Sequence, residues 1–203
     1  MKIFLFLLQR FKKSGVYLFE RKTLEPVYID KNTALVAACR LGSRKAQFEI
    51  YKLYAKAMYN VALRILNFEE EAEDVLQDSF LDAFTRIESF KGEATFGLWL
   101  KQIVINKSIN QLRKRKVEFV SIEEVDVADE NEVEEELEWK VEEIRAAVAQ
   151  LPDRYRVILT LYLFEGYDHE EISYILKITE GTSRTQYMRA KMKLNDLLVK
   201  RGV

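Results

Sequence analysis

The apolar positions of this chain recur at steps of three and four residues over most of its length, the spacing of one face of an α-helix. The pattern becomes regular at Thr33. A first helix is predicted over residues 32–41, stopped by Gly42. Ser43 then caps a second, in which Phe48, Tyr51, Ala55, Met58, Ala62 and Ile65 form an apolar stripe. A third helix covers EEEAEDVLQDSFLDAFTRI, with Ala72, Val75, Leu76, Ser79, Phe80, Ala83, Phe84 and Ile87 on its buried face. The two glycines of SFKGEATFG, residues 89–97, read as a loop, and a fourth helix follows in LWLKQIVINKSINQLRKRK. After Lys116 the periodicity dissolves into VEFVSIEEVDVADENEVEEELE, predicted as a flexible linker with helix resuming near residues 132–136.

Helical spacing returns at Leu137, Val141, Ile144 and Val148, and Leu151-Pro152-Asp153 marks a boundary with proline in the first turn of the next helix. Val157, Ile158, Leu161, Tyr162 and Phe164 make that helix strongly apolar, and Gly166 ends it. The stretch DHEEISYILKITEGTSRTQYMRAKMKLNDLL then carries two helix signatures joined by a connection too short for anything but a tight corner. Asp168 serves as N-cap with Glu171 three residues on, as in a capping box, and Ile172, Ile175 and Leu176 share one face. Lys177 and Ile178 form the turn, and Thr179 caps the last helix. Its inner face is expected to carry Ser183, Tyr187, Ala190, Leu194 and Leu197. This is a helix-turn-helix pattern.

The fold class expected is therefore all-α: two small helical domains, residues 33–116 and 137–203, joined by an acidic flexible linker over residues 117–136. Residues 1–32 are an unassigned N-terminal extension. A chain of 203 residues can bury one core or two small ones, and only 7 Gly and 2 Pro leave few turn signals. The apolar run from Ile3 to Leu8 is far shorter than the roughly 18 residues needed to span a bilayer, and no small-residue cleavage site follows it, so neither membrane insertion nor a signal peptide is expected. The single Cys39 excludes an internal disulfide and fits a reducing cytoplasm as a buried spectator thiol. With one Cys and one His, no metal site or cofactor is expected, and His169 reads as an exposed first-turn residue. Neither a nucleophile–base pair nor a phosphate loop is present in the pattern, so an enzyme is not expected.

Charge sharpens this picture. The formal net charge is −1, yet eleven acidic residues and no basic one lie between Glu118 and Glu138. The remainder is net positive. Six Lys or Arg and no acid fall in residues 101–116, and seven basic residues against two acidic ones in residues 177–203. Two separate basic patches suggest two contacts with a polyanion. Arg184, Thr185, Gln186, Met188 and Arg189, with Lys191 and Lys193 beyond, form a set able to meet phosphates and base edges in a major groove. Helix-turn-helix pairs also occur as plain packing corners.

Two other faces carry candidate chemistry. On the third helix, Glu70, Glu73, Asp74, Gln77 and Asp78 stand opposite the apolar stripe with Leu81. They read either as a solvated face with acids placed favourably near the helix N-terminus or as a docking surface for a basic protein. On the fourth, Gln102, Asn106, Asn110 and Arg113 or Lys114 form a polar stripe, flanked by Lys107 and by Phe96 and Trp99. Amides can pair with base edges, cations with phosphates and aromatics with unstacked bases, although Trp99 fits an anchor in the core at least as well.

The segment EAEDVLQDSFLDAFTRIESF, the Trp99-Leu100 pair with Asn106, and LPDRYRVILTLYLFEGYDHEEISYILKITEGTSRTQYMRAKMKL together resemble the extracytoplasmic-function sigma factors of bacterial RNA polymerase, over about residues 33–198. The resemblance implies a cytoplasmic promoter-specificity subunit with two partners, core polymerase and promoter DNA. It implies that Asp74, Gln77, Asp78 and Leu81 dock on the clamp helices of the largest polymerase subunit. It assigns Lys91, Gln102, Asn106, Lys107, Asn110, Arg113 and Lys114 to a melted −10 element, with Asn106 at a pocket for a flipped base and residues 91–97 as the variable specificity loop. Thr182, Arg184, Thr185, Gln186, Met188, Arg189 and Lys193 would read the −35 element as duplex, and an anti-sigma factor is a further candidate partner. The family usually places valine and arginine where this chain has Ser183 and Gln186, so a weaker core at Ser183 and altered DNA contacts at Gln186 are expected. The rival reading is a two-domain helix-turn-helix regulator that acts without docking on polymerase.

Overall fold

A computed structural model describes residues 32–115 and 141–200. The expected linker, the N-terminal extension and the helical restart near residues 132–136 lie outside them. The described residues divide into two compact units, one holding residues 32–115 and the other residues 141–200. The regular structure among the described residues is helical, with no strand among them.

The first unit holds four α-helices: α1 (Thr33–Arg40), α2 (Arg44–Leu66), α3 (Glu69–Thr85) and α4 (Phe96–Lys114). Side-chain caps mark the starts of α2 and α4. The Ser43 hydroxyl accepts from the Ala46 N–H at the head of α2, and the Thr95 hydroxyl accepts from Leu98 N–H at the head of α4. Helix α2 packs against both α3 and α4, which also pack on each other. Their buried faces supply a dense apolar core that includes Ile50, Ile65, Leu66, Phe96, Leu100, Ile105 and Leu112.

Three details differ from the sequence expectation. The stripe on α2 swings round. Phe48 and Tyr51 are exposed, while Ala46, Ile50 and Val61 are buried with Met58, Ala62 and Ile65, because the first turns of α2 meet their neighbours on the Ala46–Ile50 side. Helix α4 starts at Phe96 and not Leu98, since Thr95 is a good N-cap. Gly97 consequently lies inside the helix, where a Cβ would come within 2.8 Å of the Tyr54 ring. The glycine is there to admit that ring.

The second unit contains α5 (Val141–Ala149), α6 (Asp153–Leu159), α7 (His169–Leu176) and α8 (Glu180–Val199). Helix α8 is the axis against which α5, α6 and α7 pack. Pro152 stands at the N-cap of α6. Arg156 is buried beside it, donating to the Leu151 carbonyl at 3.0 Å and pairing with Asp153, so its charge is both hydrogen-bonded and compensated. The expected single apolar helix ends early as α-helix: residues Thr160–Phe164 widen into a π-helical turn closed by Glu165 N–H donating to the Thr160 carbonyl at 3.1 Å. The capping box forms as expected, with Glu171 N–H donating to Asp168 Oδ1 at 2.8 Å and Asp168 N–H to Glu171 Oε2 at 2.9 Å. Lys177 turns the corner at φ 58°, a left-handed conformation unusual for a side chain with a Cβ, and Thr179 caps α8.

Candidate nucleic-acid interface and docking surface

The acidic face of α3 follows from its periodicity. Burying Ala72, Val75, Leu76, Ser79, Phe80 and Ala83 leaves Glu70, Glu73, Asp74, Gln77 and Asp78 in solvent, and Leu81 is 66% exposed at the end of the strip. Asp74 and Asp78 form no ion pair among the described residues. Their charges are therefore available to a basic partner, and a large apolar side chain stands beside them.

Around Asn106 the helices α3 and α4 enclose a cavity of about 370 Å³, lined by Asp82, Arg86, Ser89, Trp99, Ile103, Asn106, Lys107 and Asn110. The exposed amides of Asn106 and Asn110 fall one helical turn apart on α4. Trp99 is half-buried. Its ring packs 5.4 Å from Phe90 and 5.5 Å from Phe96, so it anchors the helix and also walls the cavity. Asp82 contributes a carboxylate absent from the sequence-based set: its Oδ2 accepts from Lys107 Nζ at 2.9 Å and from Arg86 at 2.5 Å. The Lys107 hydrogen bond foremost, with both positive charges, holds the Asp82 carboxyl below its ordinary pKa. The 82/86 pair was legible as an i,i+4 spacing. The contact with Lys107 depends on how α3 and α4 pack.

The basic end of α4 divides. Lys114 is exposed and Arg113 donates to the Asn110 side-chain oxygen Oδ1 at 3.1 Å. Arg115 turns inward, pairing through two nitrogens with Glu71 at the start of α3 and lying 4.6 Å over the Phe68 ring. Gln102 is exposed farther along the same helix, and Lys91 is exposed in the preceding loop.

On α8 the buried stripe is Ser183, Gln186, Tyr187, Ala190, Leu194 and Leu198. Gln186, expected on the outer face, is 1% exposed, because residues three after Ser183 and four before Ala190 share their face. Leu198 likewise replaces Leu197 in the core. The outer face keeps Arg184, which pairs with Glu180, together with Thr185, Met188 and Met192; Met192 is 37% exposed and was missed. Thr182 and Lys193 flank this face, Thr182 held by Thr179 at 2.8 Å between hydroxyls, and Arg189 is half-buried.

His169 is also not where the sequence placed it. The ring is half-buried, 4.8 Å from Tyr162 in the π-helical turn and 5.4 Å from Tyr187, and its Nδ1 lies 2.9 Å from Ser183 Oγ. Burial, with the nearby Arg184 charge, holds its pKa below the ordinary value, while Glu180 and Asp168 act in the opposite direction. One imidazole thus ties α7, α8 and the turn before them.

Comparison with known proteins matches residues 50–118 to the family model "Sigma-70 region 2" and residues 141–194 to "Sigma-70, region 4". The chain is 32% identical over 159 residues to the ECF RNA polymerase sigma factor SigM of Bacillus subtilis, covering 76% of this chain and 96% of that protein. It is 28% identical over 170 residues to SigW of the same organism, covering 77% and 91%. Among solved structures, the sigma factor RpoE in complex with the anti-sigma factor NepR from Bartonella quintana aligns with a TM-score of 0.51 and 24% identity over 74% of this chain and 94% of that one. CnrH in complex with the cytosolic domain of CnrY aligns with a TM-score of 0.50 and 19% identity, covering 82% and 96%. With its two matched regions in order, its all-helical two-unit fold and its full-length relatives, the chain belongs to the extracytoplasmic-function sigma factors of RNA polymerase, in the sigma-70 family.

Proposed function

We propose that this sigma factor docks on core polymerase through Asp74, Gln77, Asp78 and Leu81 of α3. Its first unit, residues 33–116, then holds the melted −10 strand, while its second, residues 137–203, grips the −35 duplex. The observation that carries the division of labour is the Asn106 cavity. It joins amides, cations and the Trp99 ring at one place, the mixture an unstacked base requires. A protein without an energy source can open a duplex only by binding unstacked bases more tightly than paired ones, which must offset a few kcal/mol per step. Asn106 and Asn110 would meet base edges, and Lys91, Gln102, Lys107, Arg113 and Lys114 the strand around them.

In the second unit Arg184, Thr185 and Met188, with Thr182, Arg189 and Lys193 flanking, face the major groove. Gln186 is left to the core. The chain contributes no catalytic residue in this reading and works in the cytoplasm; no described helix is long and apolar enough to cross a membrane. An anti-sigma factor is a further partner in this reading, the class of partner bound to the RpoE relative.

The test is charge reversal at the docking face. The D74K/D78K protein, folded as judged by circular dichroism, is expected to lose binding to core polymerase and promoter-directed transcription together. Unaltered transcription would refute docking through α3 and revive an independent helix-turn-helix regulator.

A further inference from the structure

The loop after Phe90 has a cavity on each side of it. Ser89 lines the Asn106 cavity, whereas the next residue, Phe90, lines a second one of about 250 Å³ between α1 and the loop. The walls of this second cavity are mixed, with Val36, Ala37, Ala94 and Phe90 apolar and Thr33 polar, and its lining includes the exposed cations Arg40 and Lys91. No acidic side chain is among the described lining residues.

Three details fit it for a phosphate. The Arg40 guanidinium donates through one nitrogen to the Phe90 carbonyl, which fixes the planar fork in place. Its other nitrogens have no partner among the described residues, and Lys91 makes no ion pair among them. An arginine held this way offers directed donors and a lysine adds an adaptable point charge. Gly92, on the rim, adopts φ +79° with open space where a Cβ would lie, so the backbone there is accessible to a ligand. Phe90 links the two cavities, since its ring packs on Trp99, which walls the other.

We infer that the unpaired −10 strand continues from the Asn106 cavity across the loop, and that the Arg40–Lys91 cavity holds the phosphate of a neighbouring nucleotide. This rests on the assignment of the first unit to the melted strand and extends it to α1, which the sequence did not implicate. The apolar part of the wall, Val36, Ala37, Ala94 and Phe90, would shelter the sugar or base attached to that phosphate. Two subsites on one loop would then fix both where a base leaves the stack and the direction in which the strand runs.

The test uses holoenzyme and a promoter fragment, found by mapping its start sites, that is held open across the −10 region by mismatches. Binding is measured against salt concentration. Lys91→Ala is expected to flatten the slope of log K against log salt by about 0.7, the value for one single-strand phosphate contact. Neutralising single phosphates as methylphosphonates should reveal one position that weakens wild type but not Lys91→Ala. Arg40→Lys, which keeps the charge but not the fork, should weaken binding at that same position.

Equal slopes for wild type and Lys91→Ala, with Asn106→Ala weakened, would show that the cavity is unused. A thermal shift of the full chain by millimolar inorganic phosphate, lost in Lys91→Ala while the DNA slopes stay equal, would make it a small-anion site and overturn the strand assignment. Failure of wild-type holoenzyme to bind the opened fragment would sink the melted-strand reading itself.

Discussion

The buried serines of the two units are satisfied in different ways. In the first, Ser79 and Ser108 are fully buried, and each donates its hydroxyl to a carbonyl four residues back in its own helix, at 2.6 and 2.8 Å. Such groups are satisfied wherever the helix goes. In the second, Ser183 meets His169 from another helix, and that imidazole is held in turn by two tyrosines. A buried polar group satisfied within its helix constrains nothing else, whereas one satisfied across helices fixes their relative position. The Ser183–His169 contact thus ties α8 to α7, a constraint between helices that Ser79 and Ser108 do not supply in the first unit.

The contrast can be broken most sharply in the first unit. Phe96 is fully buried and touches Tyr54, Phe90 and Trp99, with centroids 5.8, 5.6 and 5.5 Å away. Phe96→Ala should cost about 3–5 kcal/mol of that unit's stability in denaturant unfolding, with the Asn106 cavity lost alongside. A cost below about 1 kcal/mol would mean that the aromatic cluster does not organise this unit.

A smaller effect separates the serines. Ser183→Ala should cost about 1 kcal/mol and loosen the angle between α7 and α8, because it strips a half-buried imidazole of its partner. Ser108→Ala should be nearly neutral, within about 0.5 kcal/mol, since alanine favours the helix and no other element loses a bond. Equal costs for the two would erase the distinction between local and cross-helix satisfaction.

The smallest effect is a pH dependence. Burial keeps His169 below the usual 6.5, so the folded second unit prefers the neutral ring. Its contribution to stability should be constant above about pH 6.5 and decline as pH falls from there toward the folded-state pKa, because the unfolded chain takes up the proton first. His169→Phe keeps a ring between the tyrosines and removes the titration. Unfolding midpoints at pH 7 and 5.5 should differ more in wild type than in the variant. An equal difference would assign the acid sensitivity to other groups.

The helix pattern, most of the caps and the acidic face of α3 were legible because each depends on neighbours within about four residues along the chain. Asp168 with Glu171, Thr179 with Thr182, and the exposed set from Glu70 to Leu81 are read directly from spacing. Gln186 and His169 were misplaced for the opposite reason. Gln186 sits between the buried positions Ser183 and Ala190 at the required spacing, but its amide suggested solvent. His169 is exposed on any isolated helix and becomes partly covered only when Tyr162 and Tyr187 close on it.

The sequence by itself determined a helical chain of two units, the partition of charge between them and a family whose members specify promoters. Those properties reside in periodicity and composition, which short windows contain. Only the tertiary structure decided that Asp82 holds Lys107 beside Asn106, that Arg115 turns away from solvent to Glu71, and that Arg40 and Lys91 line one cavity. Each of these joins residues from separate elements. Their meeting depends on how helices cross, which packing across the whole unit sets and no local pattern encodes.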